Sequence, residues 1–226
     1  MGVDPTLTAE TRQRYDRVAP VYDASEAVIE RFFYGRWRRL LWDGVEGPDI
    51  LEVGVGTGKN MRYYPSGAHV TGIDISEGML SRARKRAIRL NLEVDLRLMD
   101  AETLAFPSQS FDTVVASFVF CSVPDPVAGL RELGRVCKQD GEIRLLEHMR
   151  ARSKPMGRLM DTVNPIAVRM MGANINRRTV DNVRSAGLQI QRIEELSVQG
   201  VFKLIVAKPP FSQGVALSRT TPNPGT

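Results

Sequence analysis

The sequence predicts an α/β fold: a largely parallel sheet of seven strands with an antiparallel last strand, helices on both faces, and an N-terminal helical cap. Three observations predict it. Short apolar runs alternate with helix-forming stretches, the chain order of a sheet whose strands are joined by helical crossovers. The first of these runs, Ile50, Leu51 and Val53, leads straight into Gly54, Gly56 and Gly58, as a buried parallel strand does when it turns tightly into a helix. The last two runs, 188–195 and 201–207, are separated by a short turn at Gln199-Gly200, which favours an antiparallel hairpin.

The glycine turn also carries chemistry. Dinucleotide sites use Gly-x-Gly-x-x-Gly, with a helix N-terminus aimed at a pyrophosphate. Here the pattern is Glu52-x-Gly54-x-Gly56-x-Gly58. An acid two residues before the first glycine would repel phosphate but suits an ammonium or a positive sulfonium. The next apolar run, His69-Val-Thr-Gly-Ile, ends at Asp74, 22 residues after Glu52. A carboxylate there suits the two hydroxyl donors of a ribose diol. The pattern points to S-adenosylmethionine rather than to a nicotinamide dinucleotide, although Gly54 taken alone reads equally as an ordinary tight turn.

Together with Asp74 and the run Asp100-Ala-Glu-Thr-Leu-Ala-Phe-Pro-Ser-Gln-Ser-Phe-Asp112, residues 51–58 resemble class I S-adenosylmethionine-dependent methyltransferases of the quinone-methyltransferase-like type. The likeness covers roughly residues 11 to 208. It implies a Rossmann-like domain and a cofactor site built from Tyr15, Glu52, Gly54, Gly56, Gly58, Asp74, Ile75, Met79, Asp100, Ala101 and Ser117. In such a site Asp100 accepts from the adenine amino group and the Ala101 backbone reads the ring edge. The lead-in Tyr15-Asp-Arg-Val-Ala-Pro-Val-Tyr22-Asp also resembles the family, where the tyrosines lie over the cofactor and the substrate entrance. Without the family, Tyr15 and Tyr22 read as core aromatics with satisfied hydroxyls, and Met79 as core filler.

A chain of 226 residues, 25% charged and 42% hydrophobic, has the composition of one globular α/β unit. The expected division is a cap over 1–45, a methyltransferase domain over 46–210 with a lid insertion at about 150–176, and a disordered Ser/Thr/Pro/Gly-rich tail over 211–226. Cys121 and Cys137 lie in apolar segments, which argues against a disulfide framework and fits a reducing cytoplasm. No basic start precedes an apolar block and no long apolar run occurs, so the chain is expected to be neither exported nor membrane-spanning. The formal charge of +5 is too mild, and too poor in interleaved aromatics, to imply nucleic acid.

Along the chain, Thr8 opens a short helix that Pro20 ends. Residues 25–42 form a second helix, with Ile29, Phe33, Trp37 and Leu40 on one face and Arg31 and Arg38 opposite. Trp and Phe against Arg is the composition of a helix lying on an anionic membrane, giving a peripherally membrane-associated protein; the same pattern also fits packing on the chain's own domain. Ser76 caps a helix over 77–90, strand 94–98 follows, and Asp125-Pro126 opens a helix over 126–137. Strand 142–148 ends in Glu147-His148, at the carboxyl end of a buried strand where open α/β sheets place ligand contacts. A helix over 177–186 precedes the final hairpin.

These readings name His148, Tyr22 and Glu147 as catalytic candidates, with His148 as the base that frees the acceptor's lone pair. Met149, Met156, Met160, Met170 and Met171 give the lid an adaptable apolar surface. No metal is expected, since His69 and His148 lie in different strands with no clustered ligand set. Within the family, Cys121-Ser-Val, Leu146-Glu-His, Asn164-Pro and Asn174-x-Asn-Arg177 are most similar to bacterial phosphatidylethanolamine N-methyltransferases and related small-thiol enzymes. That likeness implies Asn174 and Arg177 as substrate residues and a phospholipid or other lipophilic acceptor at an anionic membrane surface. Phe118-Val-Phe-Cys-Ser-Val stands where quinone methyltransferases carry an Arg-Asn pair, so a thiol ranks second and a quinone ring third. An oxidoreductase would need the other glycine spacing, and a non-catalytic membrane module would have no use for Asp74 and Asp100.

Overall fold

The computed structural model describes residues 5–171 and 174–210. Strands β1 (Asp49–Val53), β2 (His69–Asp74), β3 (Asp95–Leu98), β4 (Phe111–Ser117), β5 (Cys137–His148), β6 (Gln189–Glu195) and β7 (Phe202–Lys208) form one sheet in the order 3-2-1-4-5-7-6. The first five are parallel, and β7 runs antiparallel to both β5 and β6. Helices α1 (Pro5–Ile29), α2 (Gly35–Trp42), α3 (Glu77–Leu90), α4 (Pro126–Val136), α5 (Lys154–Met171) and α6 (Thr179–Ser185) complete the architecture. The expected tail from residue 211 lies outside the described residues, as do the side chains of Met170 and Met171.

Local signals act as the sequence predicts at several ends. Ser76 Oγ accepts from Met79 N at the start of α3, and Asp125 Oδ1 accepts from Val127 N and Ala128 N with Pro126 at the first turn of α4. Gln199 (φ 67°) and Gly200 (φ 64°) take the left-handed backbone that turns the chain between β6 and β7. Two helical expectations fail. Pro20 does not end the first helix, because α1 continues through it to Ile29. The expected helix over 25–42 is broken by a π-turn at Glu30–Tyr34. One extra residue in that turn re-aims everything after it relative to a regular 3.6-residue wheel.

The period-two alternation of the strands sorts the core into two layers. Leu51, Val53, Val114, Ala116, Ile143 and Leu145 pack with Leu130, Leu133 and Val183 on one face of the sheet. Ile50, Val115, Leu146 and Leu204 pack under Trp37, Leu41 and Trp42 on the other. The apolar side of α2 is thus spent on its own sheet, and Phe32 and Phe33 in the π-turn are left 68% and 57% exposed. Arg38, expected on the polar outer face, is instead buried beneath α2.

A buried arginine fixes the end of α2. Arg144 on β5 donates Nε to Leu41 O (2.7 Å) and Nη2 to Asp43 O (2.6 Å) and Leu40 O (3.3 Å), and its Nη1 meets Glu142 at 2.6 Å. These carbonyls have no partner within the helix, so the guanidinium serves as its C-terminal cap from across the sheet. Arg144→Met should therefore lower unfolding stability by about 3 kcal/mol or more, read as an earlier urea midpoint at unchanged slope. An unchanged midpoint would mean that apolar packing alone docks α2.

Candidate active site

Between β1 and β4 the strand order reverses, since the chain leaves β1 toward β2 on one side and β4 toward β5 on the other. Open α/β sheets bind ligands in the crevice beyond the carboxyl ends of such strands. A pocket lies there, and Tyr15, Tyr22, Gly54, Gly56, Asp74, Ile75, Met79, Asp100, Ala101 and Ser117 all line it. Gly54 has φ 68°, and a Cβ on it would stand 2.3 Å from Val119 Cγ2. Only glycine fits that contact, which sets how closely β1's turn approaches the segment after β4.

Asp74 is held by backbone: its Oδ1 accepts from Ser76 N at 2.9 Å and its Oδ2 from Gly56 N at 2.8 Å. Burial raises its pKa to about 6 against the lowering effect of those amides. Each carboxylate oxygen keeps a lone pair, so the group remains an acceptor for a diol. Beyond it, Ile75, Met79, Met99 and Ala101 make an apolar slot flanked by Asp100, whose Oδ1 accepts from Glu102 N at 2.9 Å.

Helix α1 is fastened over this pocket by two aspartates. Asp16 Oδ1 accepts from Ser76 Oγ (2.6 Å) and Gly78 N (3.0 Å), at the N-terminus of α3. Seven residues further along α1, Asp23 accepts from Thr57 Oγ1 (2.6 Å) and Arg86 Nη2 (2.5 Å). Tyr15 and Tyr22, each one residue before an aspartate, share this face and reach the pocket. The ammonium of Lys59 lies 5.0 Å from the Tyr22 ring centroid.

Other expected residues stand outside the pocket wall: Glu52, Gly58, Glu147, His148, Asn174 and Arg177. Gly58 (φ 80°) serves the turn, where a Cβ would meet Met61 at 2.8 Å. Glu52 shares a strand face with Ile50, toward α2. Its Oε1 accepts from Asn60 Nδ2 at 2.5 Å, its Oε2 accepts from the Tyr64 hydroxyl, and burial raises its pKa to about 7. Glu147 Oε1 accepts from Val119 N (2.9 Å) and Phe120 N (3.1 Å), so it shapes the segment after β4.

His148 Nε2 lies 3.1 Å from the carbonyl oxygen of Asn174, which makes that nitrogen the protonated donor; burial lowers the pKa and keeps the ring neutral. Asn174 in turn donates its backbone N and Nδ2 to Cys121 O, and Arg177 Nη2 donates to Val123 O at 2.9 Å. These residues tie the chain after α5 to the 118–125 segment whose other side lines the pocket.

Sequence reasoning missed Arg38 and Lys59, both on the pocket wall. Lys59 follows the glycine turn directly and was open to notice. Arg38 was hidden by the π-turn, which no residue pattern announces.

Residues 51–145 match the family model described as a methyltransferase domain. The chain is 46% identical over 110 residues to a phosphatidylethanolamine N-methyltransferase of Cereibacter sphaeroides, covering 48% of this chain and 54% of that protein. It is 36% identical over 158 residues to a demethylmenaquinone methyltransferase of Tropheryma whipplei strain Twist, covering 67% of this chain and 65% of that protein. The chain belongs to the class I S-adenosylmethionine-dependent methyltransferases. It spans between half and two thirds of the length of these two relatives. Among solved structures, geranyl diphosphate C-methyltransferase of Streptomyces coelicolor, in complex with Mg2+, geranyl diphosphate and S-adenosyl-L-homocysteine, shares the fold. Its TM-score is 0.61 at 18% identity, over 77% of this chain and 79% of that one. The cyclase SpnF shares it too, with a TM-score of 0.65 at 20% identity over 78% and 81% of the two chains, so the fold alone does not name a reaction.

S-Adenosylmethionine is the methyl donor of this class, and the pocket of this methyltransferase suits it chemically. A buried carboxylate faces a ribose, an apolar slot with methionines faces a purine, and cationic and hydroxyl groups remain at the glycine-turn end for an amino-acid tail. Because the ligand-free Asp74 has a pKa raised to about 6, a proton must leave it before a ribose can donate to both oxygens. Cofactor affinity should hold above pH 7 and fall as pH drops through 6, approaching tenfold per pH unit well below it. Asp74→Asn should bind at least tenfold more weakly at pH 7.5 and lose most of that pH dependence, as calorimetry between pH 5 and 8 would measure.

Glu147 generates a separate prediction. Burial raises its pKa from 4.5 to about 8, and among the described residues its Oε2 has no hydrogen-bond partner. A folded pKa above the unfolded one gives stability that is complete below pH 4.5 and is lost as pH rises through about 8. Glu147→Gln keeps an acceptor for both amides and removes the charge. Its melting temperature should decline less than the wild type's between pH 5 and 9, and parallel declines would contradict the assignment.

Proposed function

We propose that this chain transfers the methyl group of S-adenosylmethionine to a lipophilic acceptor, namely the amine of phosphatidylethanolamine. The observation that carries the acceptor is the 46% identity to a phosphatidylethanolamine N-methyltransferase. The sulfonium activates the methyl carbon, so the protein's own work is alignment, exclusion of water and presentation of a free lone pair. Helix α1 closes the pocket through Asp16 and Asp23, with Tyr15 and Tyr22 on its inner face. Tyr22, Phe118 and Val119 offer an aromatic and apolar wall to an acceptor group. His148 acts by holding Asn174, and through it the 118–125 segment, in place; this makes it a positioning residue rather than a base in contact with the amine.

The membrane-facing surface moves with the corrected register. Phe32 and Phe33 project beside exposed Arg36 and Arg39, next to a groove formed by Trp37, Leu196, Val198 and Phe202. Among the described residues no helix is long and apolar enough to cross a membrane. Apolar anchors flanked by arginine suit the interfacial layer of an anionic bilayer.

A second reading, methylation of a quinone ring carbon, is favoured by the 36% identity to a demethylmenaquinone methyltransferase. One experiment separates the readings: transfer of labelled methyl to vesicles holding phosphatidylethanolamine and an anionic lipid, to a demethylated quinone, and to small thiols. Label should enter the phospholipid. The double variant Phe32→Ser/Phe33→Ser should lose at least tenfold in vesicle turnover at unchanged cofactor affinity, and label found only in quinone or thiol would overturn the proposal.

A further inference from the structure

The pocket contains two cations that neither the ribose nor the purine end uses. Arg38 is 6% exposed and Lys59 9%, and both are on the wall. Arg38 comes from α2, outside the matched methyltransferase domain, and reaches the carboxyl end of β4. Its Nη1 donates to Ser117 Oγ and Asn60 Oδ1, both at 3.0 Å, its Nε donates to Glu30, and its guanidinium lies over the Phe118 ring. We propose that Arg38, with Lys59 beside it, is the subsite for the carboxylate on the amino-acid tail of S-adenosylmethionine. This rests on the reading that the pocket holds that donor.

Three observations carry the assignment. The first is position. Asp74 and the Ile75–Met79–Ala101 slot take up the nucleoside end, and the pocket then continues past Gly54 and Gly56 to Ser117, Arg38 and Lys59.

The second is hydrogen-bond capacity. A guanidinium has five N–H donors. Nε and Nη1 are committed, whereas among the described residues Nη2 has no hydrogen bond. Arginine presents paired N–H groups in the geometry that carboxylates accept.

The third is charge. Arg38, Lys59 and Arg86 meet Asp23 and Glu30 in direct ion pairs, which leaves one positive charge in a buried cluster. Glu52 does not cancel it by contact. Asn60 stands between, accepting from Arg38 with Oδ1 while donating Nδ2 to Glu52, and burial holds that carboxyl's pKa near 7. A buried cation cluster with one charge in excess favours a ligand that brings one negative charge.

The test pairs a change in the protein with a change in the ligand, read by calorimetry on the full chain with S-adenosylmethionine, its decarboxylated analogue and methylthioadenosine. The wild type should bind S-adenosylmethionine at least tenfold more tightly than the decarboxylated analogue. Arg38→Gln should weaken S-adenosylmethionine about tenfold to a hundredfold, yet change the decarboxylated analogue and methylthioadenosine less than threefold. Arg38→Lys, which keeps the charge and loses the fork, should fall between. Equal losses for all three ligands would make Arg38 a strut for α2 and overturn the proposal. So would a wild type indifferent to the carboxylate, a result that needs no folded variant. If glycerophosphoethanolamine instead competes with the decarboxylated analogue only when Arg38 is present, the subsite belongs to an acceptor phosphodiester and the carboxylate assignment fails. A wild type that binds none of the three nucleosides would refute the methyltransferase reading itself, a result distinct from the other two.

Discussion

No side chain fits between the first glycine turn and the segment that follows β4. With Val119 Cγ2 2.3 Å from the place of a Cβ on Gly54, the two loops touch through backbone and a single valine. That contact is enforced from behind, because Glu147 on β5 accepts the amides of Val119 and Phe120. The pocket's shape therefore depends on a buried carboxyl group that never faces it. The energetic tension is plain: burial raises this group's pKa to about 8, yet two backbone donors need an acceptor there.

Polar groups elsewhere in the molecule follow the same logic of holding loops where a ligand has to pass. Asp16 and Asp23 bring α1 down on the ends of β1 and β2, using side-chain oxygens on the N-terminus of α3 and on Thr57. An aspartate at a helix N-terminus gains from both the unpaired amides and the helix dipole. Each aspartate carries a neighbouring tyrosine onto the pocket wall, so closing the cap and building the wall are one event. On the opposite layer Arg144 anchors the end of α2 by its carbonyls while Arg38 runs through to Ser117. Two arginines on one helix–sheet interface thus divide the labour, one fixing the helix and the other reaching the pocket.

The sheet and the nucleoside end of the pocket were legible because local chemistry dictates them. The acid-glycine pattern from Glu52 to Gly58, the carboxylate at Asp74, the Ser76 cap and the Asp125-Pro126 start each act over a few residues, and each appears where the sequence puts it. Glu52 was misplaced even though the alternation along β1 could have placed it: it shares Ile50's face, under α2, and so serves Asn60 and Tyr64. His148 was read from its address at a strand end. Its ring is occupied by the Asn174 carbonyl 26 residues away, a pairing with no sequence signature.

By itself, then, the sequence determined the alternation of strands and helices, the glycine turn with its acceptor carboxylate, the capped helix starts and the closing antiparallel hairpin, because periodicity, capping and turn chemistry are local. The tertiary structure alone decided which way the helix after the π-turn faces. One extra residue at Glu30–Tyr34 turned Trp37 and Arg38 inward and left Phe32 and Phe33 outside. A helical wheel assumes unbroken 3.6-residue geometry, whereas the register of α2 is set by contacts made far along the chain, with Arg144 at its carbonyl end and Ser117 and Asn60 at its arginine.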